Sequence, residues 1–420
     1  MVPSTYEAGK LYNVLPSGNR APDNKGGAGY DQTRADFDFD RGSNAAASRI
    51  NSSGLIEKYR ENVFTESNNF SDSAWNLKAG TFTQGVEDPN GGSTAWAWTA
   101  QNTDPYIYQQ LSVSGVYTLS IYAKGVGSTI GANFQLRNAA STPSFTLTNE
   151  WQRFEIYNIP SNTNLGFEYG NPAVAGDVVH IYAAQLETGL VATEYLNSTS
   201  VTGKAGVLVD MPRINYDANG ENGALLLEPS RANKFSFSEY ASGNHLVGSP
   251  TITQNYAVSP DGGKNAFRIQ DTTGSTFKRI GQSSGGFSVS ANSTHTQSLF
   301  VKKATSAVSS YGGVGFDYSG GTRQISYIIL DEYNGTMTAL QSQSTLTLHD
   351  AEEYGDYWRF SISAEDTGSN TNLSMNVYAC LSSNGTGVST GTKDWTGYGL
   401  QLEAGSYMTS LIPNHGTSGG

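Results

Sequence analysis

One octapeptide pattern occurs twice in this chain, and it limits the fold more than any other feature. Tyr182-Ala183-Ala184-Gln185-Leu186-Glu187-Thr188-Gly189 returns as Tyr398-Gly399-Leu400-Gln401-Leu402-Glu403-Ala404-Gly405, 216 residues further on. Tyr, Gln-Leu-Glu and Gly keep their places, and a Thr follows each Gly by four residues (Thr193, Thr409). Self-similarity of this kind marks a duplicated structural unit. The chain must therefore fold as two copies of one module.

Other pairs extend the duplication. Arg49-Ile50-Asn51 matches Arg213-Ile214-Asn215, and Glu57-x-x-Arg60-x-Asn62 matches Glu228-x-x-Arg231-x-Asn233. At the same offset of 171, Ser67 matches Ser238 and Pro89-Asn90-Gly91-Gly92 matches Pro260-Asp261-Gly262-Gly263. The offset grows to 178 at Ser120-Ile121-Tyr122/Ser298-Leu299-Phe300 and to 206 at Trp151-Gln152-Arg153-Phe154/Tyr357-Trp358-Arg359-Phe360. The second copy has thus gained 45 residues (216 minus 171), mostly between 302 and 357. Interior strands cannot lengthen without losing register, so the gain belongs in loops or added hairpins. These boundaries divide the chain into an N-terminal attachment arm (1–47), a first module (48–197), a connector (198–224), a second module (225–414) and a short tail (415–420).

The repeating unit is read as all-β. Tyr117–Lys124, Phe154–Tyr157, Val178–Gln185, Ser298–Lys303 and Tyr327–Leu330 have strand length and alternation, turn residues separate them, and no helical stripe appears. Charged residues are only 15% of the chain against 48 Gly and 24 Tyr, a balance that suits sheets and turns rather than helices. Strands in units of this length indicate two tandem antiparallel jelly-roll β-sandwiches. Each Gln-Leu-Glu motif is the closing strand of its module.

Composition also excludes function classes. A net charge of −12 speaks against a phosphate-backbone partner, which needs a basic face, and equally against an anionic membrane. No run of 18 apolar residues exists, and Met1-Val2-Pro3-Ser4-Thr5 lacks a signal-peptide pattern. Cys380 stands alone, and the five histidines have no metal-ligand spacing. No nucleophile elbow, phosphate loop or dinucleotide fingerprint occurs.

Within the arm, Asp36-Phe37-Asp38-Phe39-Asp40 alternates strictly, with three carboxylates on one face. A helix-loop-helix calcium loop starting at Asp36 would need Gly and a carboxylate where Arg41 and Ala47 stand, so the run is read as a charged edge strand. Loops Asp88–Gly92 and Pro260–Gly263 offer at most one carboxylate inside each, a weak set for a structural calcium. No metal ligands and no cofactor are assigned.

The repeated acids Glu57/Glu228 and Glu187/Glu403 raise the question of glycoside hydrolysis, which needs two carboxyl groups flanking the scissile bond. Their place in a repeated motif favours a structural role, with Glu57 and Glu228 paired to Arg60 and Arg231 or to Arg153 and Arg359. Aromatic rings are the better binding candidates. Trp96 and Trp98 project from one face of a strand, and Trp96 aligns with Phe267, as a core position would. Trp75 lies in a polar stretch. The inserted region of the second copy carries Tyr311, Phe316, Tyr318, Tyr327 and Tyr333 among Gly and Ser, a composition suited to recognition. Trp75, Trp98, Tyr318, Tyr327 and Tyr333 are the candidate ligand-binding residues.

The order of motifs has a further meaning. Lys10-Leu11-Tyr12-Asn13-Val14-Leu15-Pro16 is followed by Asp38-Phe39-Asp40-Arg41-Gly42-Ser43 and by Arg49-Ile50-Asn51-x-x-Gly54-Leu55-Ile56-Glu57. Then come Leu225-Leu226-Leu227-Glu228-Pro229-Ser230-Arg231-x-Asn233 and Gln401-Leu402-Glu403-x-Gly405-Ser406-x-x-Thr409-Ser410-Leu411-Ile412-Pro413. This series resembles the tail-fibre-like and other virion-surface proteins of tailed bacteriophages, whose modules are similar to jelly-roll carbohydrate-binding modules and concanavalin-like lectin domains. The first copy departs from it where Lys58-Tyr59 replaces Pro-Ser and Glu194-Tyr195-Leu196-Asn197 replaces the Ser-x-Ile-Pro ending. The resemblance implies a non-enzymatic fibre or decoration protein on the virion surface. It implies contacts to other virion proteins through the arm, glycan binding through the modules, and a homo-oligomer such as a trimer. A purely structural assembly protein and a polysaccharide depolymerase are the alternatives.

Overall fold

The computed structural model describes residues 10–11, 37–38, 47–137, 143–157, 164–170, 172–209, 211–281, 286–383 and 388–416. Of the arm, Lys10–Leu11 pairs antiparallel with Phe37–Asp38, and its remaining residues before 47 lie outside the described set. Among the described residues no helix is long and apolar enough to cross a membrane.

The first module contains β1 (Asn76–Lys78), β2 (Gly80–Val86), β3 (Ala95–Ala100), β4 (Tyr106–Gln110) and β5 (Tyr117–Val126). It continues with β6 (Asn133–Arg137), β7 (Ser144–Thr146), β8 (Gln152–Tyr157), β9 (Asn164–Tyr169) and β10 (Val178–Thr188). One sheet has the order β8-β5-β10-β3-β2 and the other β7-β6-β9-β4-β1. Apart from the neighbouring pairs β2–β3 and β6–β7, successive strands alternate between sheets, as in a jelly roll.

The second module repeats it. Its strands are β11 (His245–Val247), β12 (Thr251–Ala257), β13 (Ala266–Asp271), β14 (Arg279–Gly281), β15 (Thr294–Lys302) and β16 (Tyr311–Ser319). They are followed by β17 (Gln324–Asp331), β18 (Thr336–Ser342), β19 (Tyr357–Glu365), β20 (Asn372–Ser383) and β21 (Lys393–Ala404). The sheets run β12-β13-β21-β15-β19 and β11-β14-β20-β16-β17-β18. Residues gained in the second copy form β18 on one sheet and the short edge strands Thr345–Leu348 and Glu352–Tyr354 beside β19 on the other.

Each core follows from strand alternation. In β10, Val179 and Ile181 point inward, but so do Ala184 and Leu186, so the phase flips by one residue between them. A bulge makes the flip: register shifts where β5 meets β10, and Ala183 takes φ 57°. Its counterpart Gly399 takes φ 65° at the matching shift between β15 and β21. An inserted residue in an antiparallel pair bends the strand and re-aims the side chains beyond it. Here it turns Gln185, Glu187, Gln401 and Glu403 onto the outer face.

Short hairpins join the modules. Ser48–Ile50 pairs with Ile56–Lys58, and Ile214–Asn215 pairs with Ala224–Leu225. The first hairpin, counted with the first module in sequence, packs on the second. Ile56 is buried with Ala266, Phe300, Tyr357, Tyr398 and Leu411, its N–H donates to Pro260 O at 3.0 Å, and Ser48 Oγ donates to Leu411 O.

Candidate functional site

The repeated acids resolve into a clasp built identically in both modules. Glu187 Oε1 accepts from Gln185 Nε2 (2.6 Å) and Thr193 N (2.8 Å), and Oε2 accepts from Thr193 Oγ1 (2.6 Å). Glu403 takes the same three bonds from Gln401 (2.9 Å), Thr409 N (2.7 Å) and Thr409 Oγ1 (2.8 Å). Gln185 and Gln401 each accept from the backbone of the returning segment, at Leu196 N and Ile412 N, both at 2.7 Å. Asn62 and Asn233 bridge closing strand to returning segment through paired carbonyls. Arg153 and Arg359 donate to Thr193 O and Thr409 O. Burial pushes the Glu187 carboxyl up, opposed by the bonds from Thr193 and Gln185. Both oxygens of each carboxylate accept hydrogen bonds from the protein, so the pair of acids ties the closing strand to the returning segment.

Glu57 and Glu228 are also structural, but with different partners from those expected. Glu57 pairs with Arg49 at 2.6 Å and Glu228 with Arg213 at 2.9 Å, so each Arg-Ile-Asn motif supplies the cation across its hairpin. Glu228 also accepts from Ser410 N and Oγ. Arg60 lines the cleft between the modules. Arg231 packs over Tyr407, 5.3 Å from the ring centroid, and against Gly405, where a Cβ would lie 2.0 Å from its guanidinium.

A cleft of about 560 Å³ separates the modules, lined among others by Lys58, Arg60, Glu239, Asp261, Asn265 and Gly189. Lys58 Nζ lies 2.7 Å from Glu239 Oε1 and 2.6 Å from Asp261 Oδ2. The Tyr398 hydroxyl sits 3.0 and 2.9 Å from the same two oxygens. Glu239 is wholly buried and the Asp261 side chain 7% exposed. Burial works to raise the Asp261 carboxyl, but the Lys58 ammonium and hydrogen bonds outweigh it and hold the group well below the usual carboxylate range. Burial likewise works to lower Lys58, and Asp261 and Glu239 raise it. Two acids in a cleft would suit glycoside hydrolysis, but both are spent on one ammonium and Asp261 is held ionised, so the pair is an ionic lock.

The outer face of sheet β11-β14-β20-β16-β17-β18 is different. Directly paired positions bring Gly281, Asn376, Gly315 and Tyr327 into one row and Arg279, Tyr378 and Gly313 into the next. Phe277 lies parallel to Tyr327 (centroids 6.0 Å, 5° between planes), and Tyr378 meets both edge-on. A Cβ at Gly315 would lie 2.9 Å from the Tyr378 ring and 3.3 Å from Tyr327, so glycine lets both rings lie down on the strand. Phe277 and Tyr327 keep part of their surface open. Around them stand Asn376, bonded to Arg279 Nε at 2.9 Å, and Asp317, held by a two-point contact to Arg323. The equivalent face of the first module carries Tyr106 and Tyr108, with the Arg137 guanidinium 3.9 Å from the Tyr106 centroid. Flat rings beside amides, a carboxylate and guanidinium groups can hold a polyhydroxylated ligand by ring contact and directed hydrogen bonds.

Of the predicted ligand-binding residues, only Tyr327 lies on this face. Trp75, Trp98 and Tyr318 are corrected to core. Trp75 packs on Phe64, Phe70 and Phe167 and donates to Glu66 O. Trp98 is fully buried edge-on to Tyr169, and Tyr318, also fully buried, donates to Ala364 O. A ring enclosed on all sides cannot stack on a sugar. Tyr333 is exposed on the Asp331–Gly335 turn at the end of the strand carrying Tyr327. Phe277, Tyr378 and Asn376 were missed because nothing in their own spacing sets them beside Tyr327, although Phe277 aligns with Tyr106 at the 171 offset.

The two loops weighed for calcium bind their own backbone instead. Asp88 accepts from Asn90 N, Gly92 N, Thr94 N and Thr94 Oγ1, donors that face the carboxylate where a cation would need oxygens. Asp261 is held by Ser259, Gly263, Asn265 and Lys58. Among the described residues no group of three or more His, Cys, Asp or Glu converges as a metal site.

No family model and no curated protein matches the sequence. Among solved structures, the CBM22-1–CBM22-2 tandem domain of Paenibacillus barcinonensis Xyn10C aligns at 11% identity, with a TM-score of 0.24, over 86% of this chain and 99% of that one. The ANX1 ectodomain of Arabidopsis thaliana aligns at 11% identity and TM-score 0.23, over 79% and 90%. A Paenibacillus cycloisomaltooligosaccharide glucanotransferase aligns at 12% and 0.20, over 79% and 47%. Similarity this distant transfers no activity.

Proposed function

We propose that this chain is a non-enzymatic glycan-binding protein of a tailed-bacteriophage virion surface, and that the glycan lies across Phe277 and Tyr327 on the second module. One observation carries the binding reading: the parallel ring pair Phe277 and Tyr327, with Tyr327 and Tyr378 laid down over Gly315 and Asn376, Arg279 and Asp317 at its border. Each half-open ring offers a face to a pyranose, and the amide, guanidinium and carboxylate groups are placed for its hydroxyls. The virion assignment rests on the series of sequence motifs, and the arm is the segment for attachment to other virion proteins.

The experiment is a glycan array and a pulldown on host polysaccharide with the full chain, repeated with Phe277→Ala/Tyr327→Ala. Binding that falls on the order of tenfold in the double variant supports the proposal, since a ring contact contributes roughly 0.5–1.5 kcal/mol. Binding unchanged in the variant overturns the site. No binding to any glycan overturns the function and favours a purely structural assembly protein. Release of reducing ends from host polysaccharide would make the protein a depolymerase.

A further inference from the structure

The duplication allows the seated hairpin to be compared with its second copy, which lies beside it through Ile50 N to Asn215 Oδ1 and Tyr216 N to Ile50 O and is held to the second module by Glu228 and Ser410. At the junction, the hairpin of the first copy inserts Ile56 into the outer face of sheet β12-β13-β21-β15-β19, among Phe300, Tyr357, Tyr398 and Leu411. At the 171 offset the counterpart of Ile56 is Leu227. Leu227 is 78% exposed, and its N–H has no hydrogen-bond partner among the described residues, whereas that of Ile56 donates to Pro260 O. The knob is present twice and seated once.

The receiving face is also present twice. Counterparts of Phe300, Tyr357, Tyr398 and Leu411 in the first module are Tyr122, Trp151, Tyr182 and Tyr195. Of these, Tyr182 lies 5.9–6.1 Å from both Tyr122 and Tyr195 between ring centroids. All four are only half-buried, where Phe300, Tyr357, Tyr398 and Leu411 are at most 2% exposed. The receiving loop is repeated as well: Pro89, counterpart of Pro260, has a carbonyl with no partner among the described residues.

Charge is matched in the same way. The seated hairpin brings Lys58 to Glu239 and Asp261. In the unseated set, Lys58 is replaced by Pro229, Glu239 by Asn68 and Asp261 by Asn90. Cation and acids have disappeared together. A Pro229 hairpin pressed on the Glu239/Asp261 cage would leave two buried carboxylates unpaired, and Lys58 pressed on Asn68/Asn90 would lack its counter-ions, so either mismatch would weaken docking by a hundredfold or more. Each knob is therefore specific for its own socket.

We infer that the chain self-associates head to tail, the Leu227 hairpin of one copy docking on the Tyr122/Trp151/Tyr182/Tyr195 face of the next as Ile56 docks within the chain. The patch on one copy differs from the patch on the other, so the contact is heterologous. Such contacts close into a ring if the rotation allows and otherwise continue as a filament.

Sedimentation of the full chain over a wide concentration range tests this, with Leu227→Asp and Tyr182→Glu as variants on the knob and on the socket. Leu227 is exposed and the Tyr182 hydroxyl has no protein partner among the described residues, so both should fold, as circular dichroism will report. If Tyr182→Glu misfolds, Tyr122→Glu replaces it. The wild type is expected to associate and each variant alone to be monomeric, with affinity reduced about tenfold or more. An equal mixture of the two should form a dimer and stop there, because one intact knob meets one intact socket. A wild type that remains monomeric at its highest attainable concentration, a Leu227→Asp protein that assembles normally, or a folded mixture that stays monomeric overturns the inference.

Discussion

Removing the Lys58 ammonium tests the reading of the junction. Lys58→Met keeps the stem of the side chain over Tyr398 and deletes the charge, leaving the wholly buried Glu239 and nearly buried Asp261 facing each other without a cation. Breaking a buried ion pair by removing one partner costs about 3–5 kcal/mol, chiefly through the charge left unpaired. A domain the size of the second module shifts its melting temperature by roughly 2–4 °C per kcal/mol, so its transition should fall by roughly 6–20 °C at neutral pH. The triple variant Lys58→Met/Glu239→Gln/Asp261→Asn removes all the charges together, as the unseated set does with Pro229, Asn68 and Asn90, and should recover to within about 1 kcal/mol of wild type. The pH dependence has a definite sign. In the wild type Asp261 is depressed, so its contribution is present above the ordinary carboxylate value of about 3.9 and is lost as pH falls through the folded one. Lys58 is raised, so its contribution is present below about 10.4 and is lost as pH rises through its folded value. In Lys58→Met the burial effect on Asp261 is no longer opposed by the ammonium, so the variant gains stability relative to wild type as pH falls toward about 4. Differential scanning calorimetry from neutral to acid pH measures this. A single variant within about 1 kcal/mol of wild type at neutral pH, or a gap that does not narrow on acidification, would refute the lock.

Three smaller changes probe the duplicated clasp. Gly405→Ala should destabilise by more than Gly189→Ala in paired thermal melts. Both residues have positive φ, 127° and 118°, but only at Gly405 would the new Cβ strike Arg231, while at Gly189 it would meet only His415 Cε1 at 3.9 Å. Thr193→Val and Thr409→Val each remove one hydroxyl donor to a buried carboxylate and should cost about 1–3 kcal/mol, seen as a lower urea midpoint in the affected module. Ala183→Gly relaxes an L-residue held at φ 57°. It should be neutral to mildly stabilising in the same melts, by up to about 1 kcal/mol, whereas Gly399→Ala should destabilise.

What the sequence determined is what the duplication carries. Gln185/Gln401, Glu187/Glu403, Thr193/Thr409 and Asn62/Asn233 recur at matched offsets because they bond one another within every copy, so a repeated clasp is readable as repeated letters. The all-β class was readable too, since alternation and turn chemistry are local. Partner choice was not local. Glu57 could be assigned to Arg60 or Arg153 by spacing, and the hairpin gives it to Arg49. Trp98 and Tyr327 look alike as aromatic residues in alternating strands. Only the phase of each strand against its own core puts the first inside and the second on an open face, and a bulge such as that at Ala183 resets this phase by one residue. The junction is the extreme case. Lys58 and Tyr398 stand 340 residues apart, with Glu239 and Asp261 between them, and no pattern along the chain announces their meeting. It is fixed by how the first hairpin lies on the second module. That contact also shows what the exposed Leu227 and the open Tyr122/Tyr182 face lack.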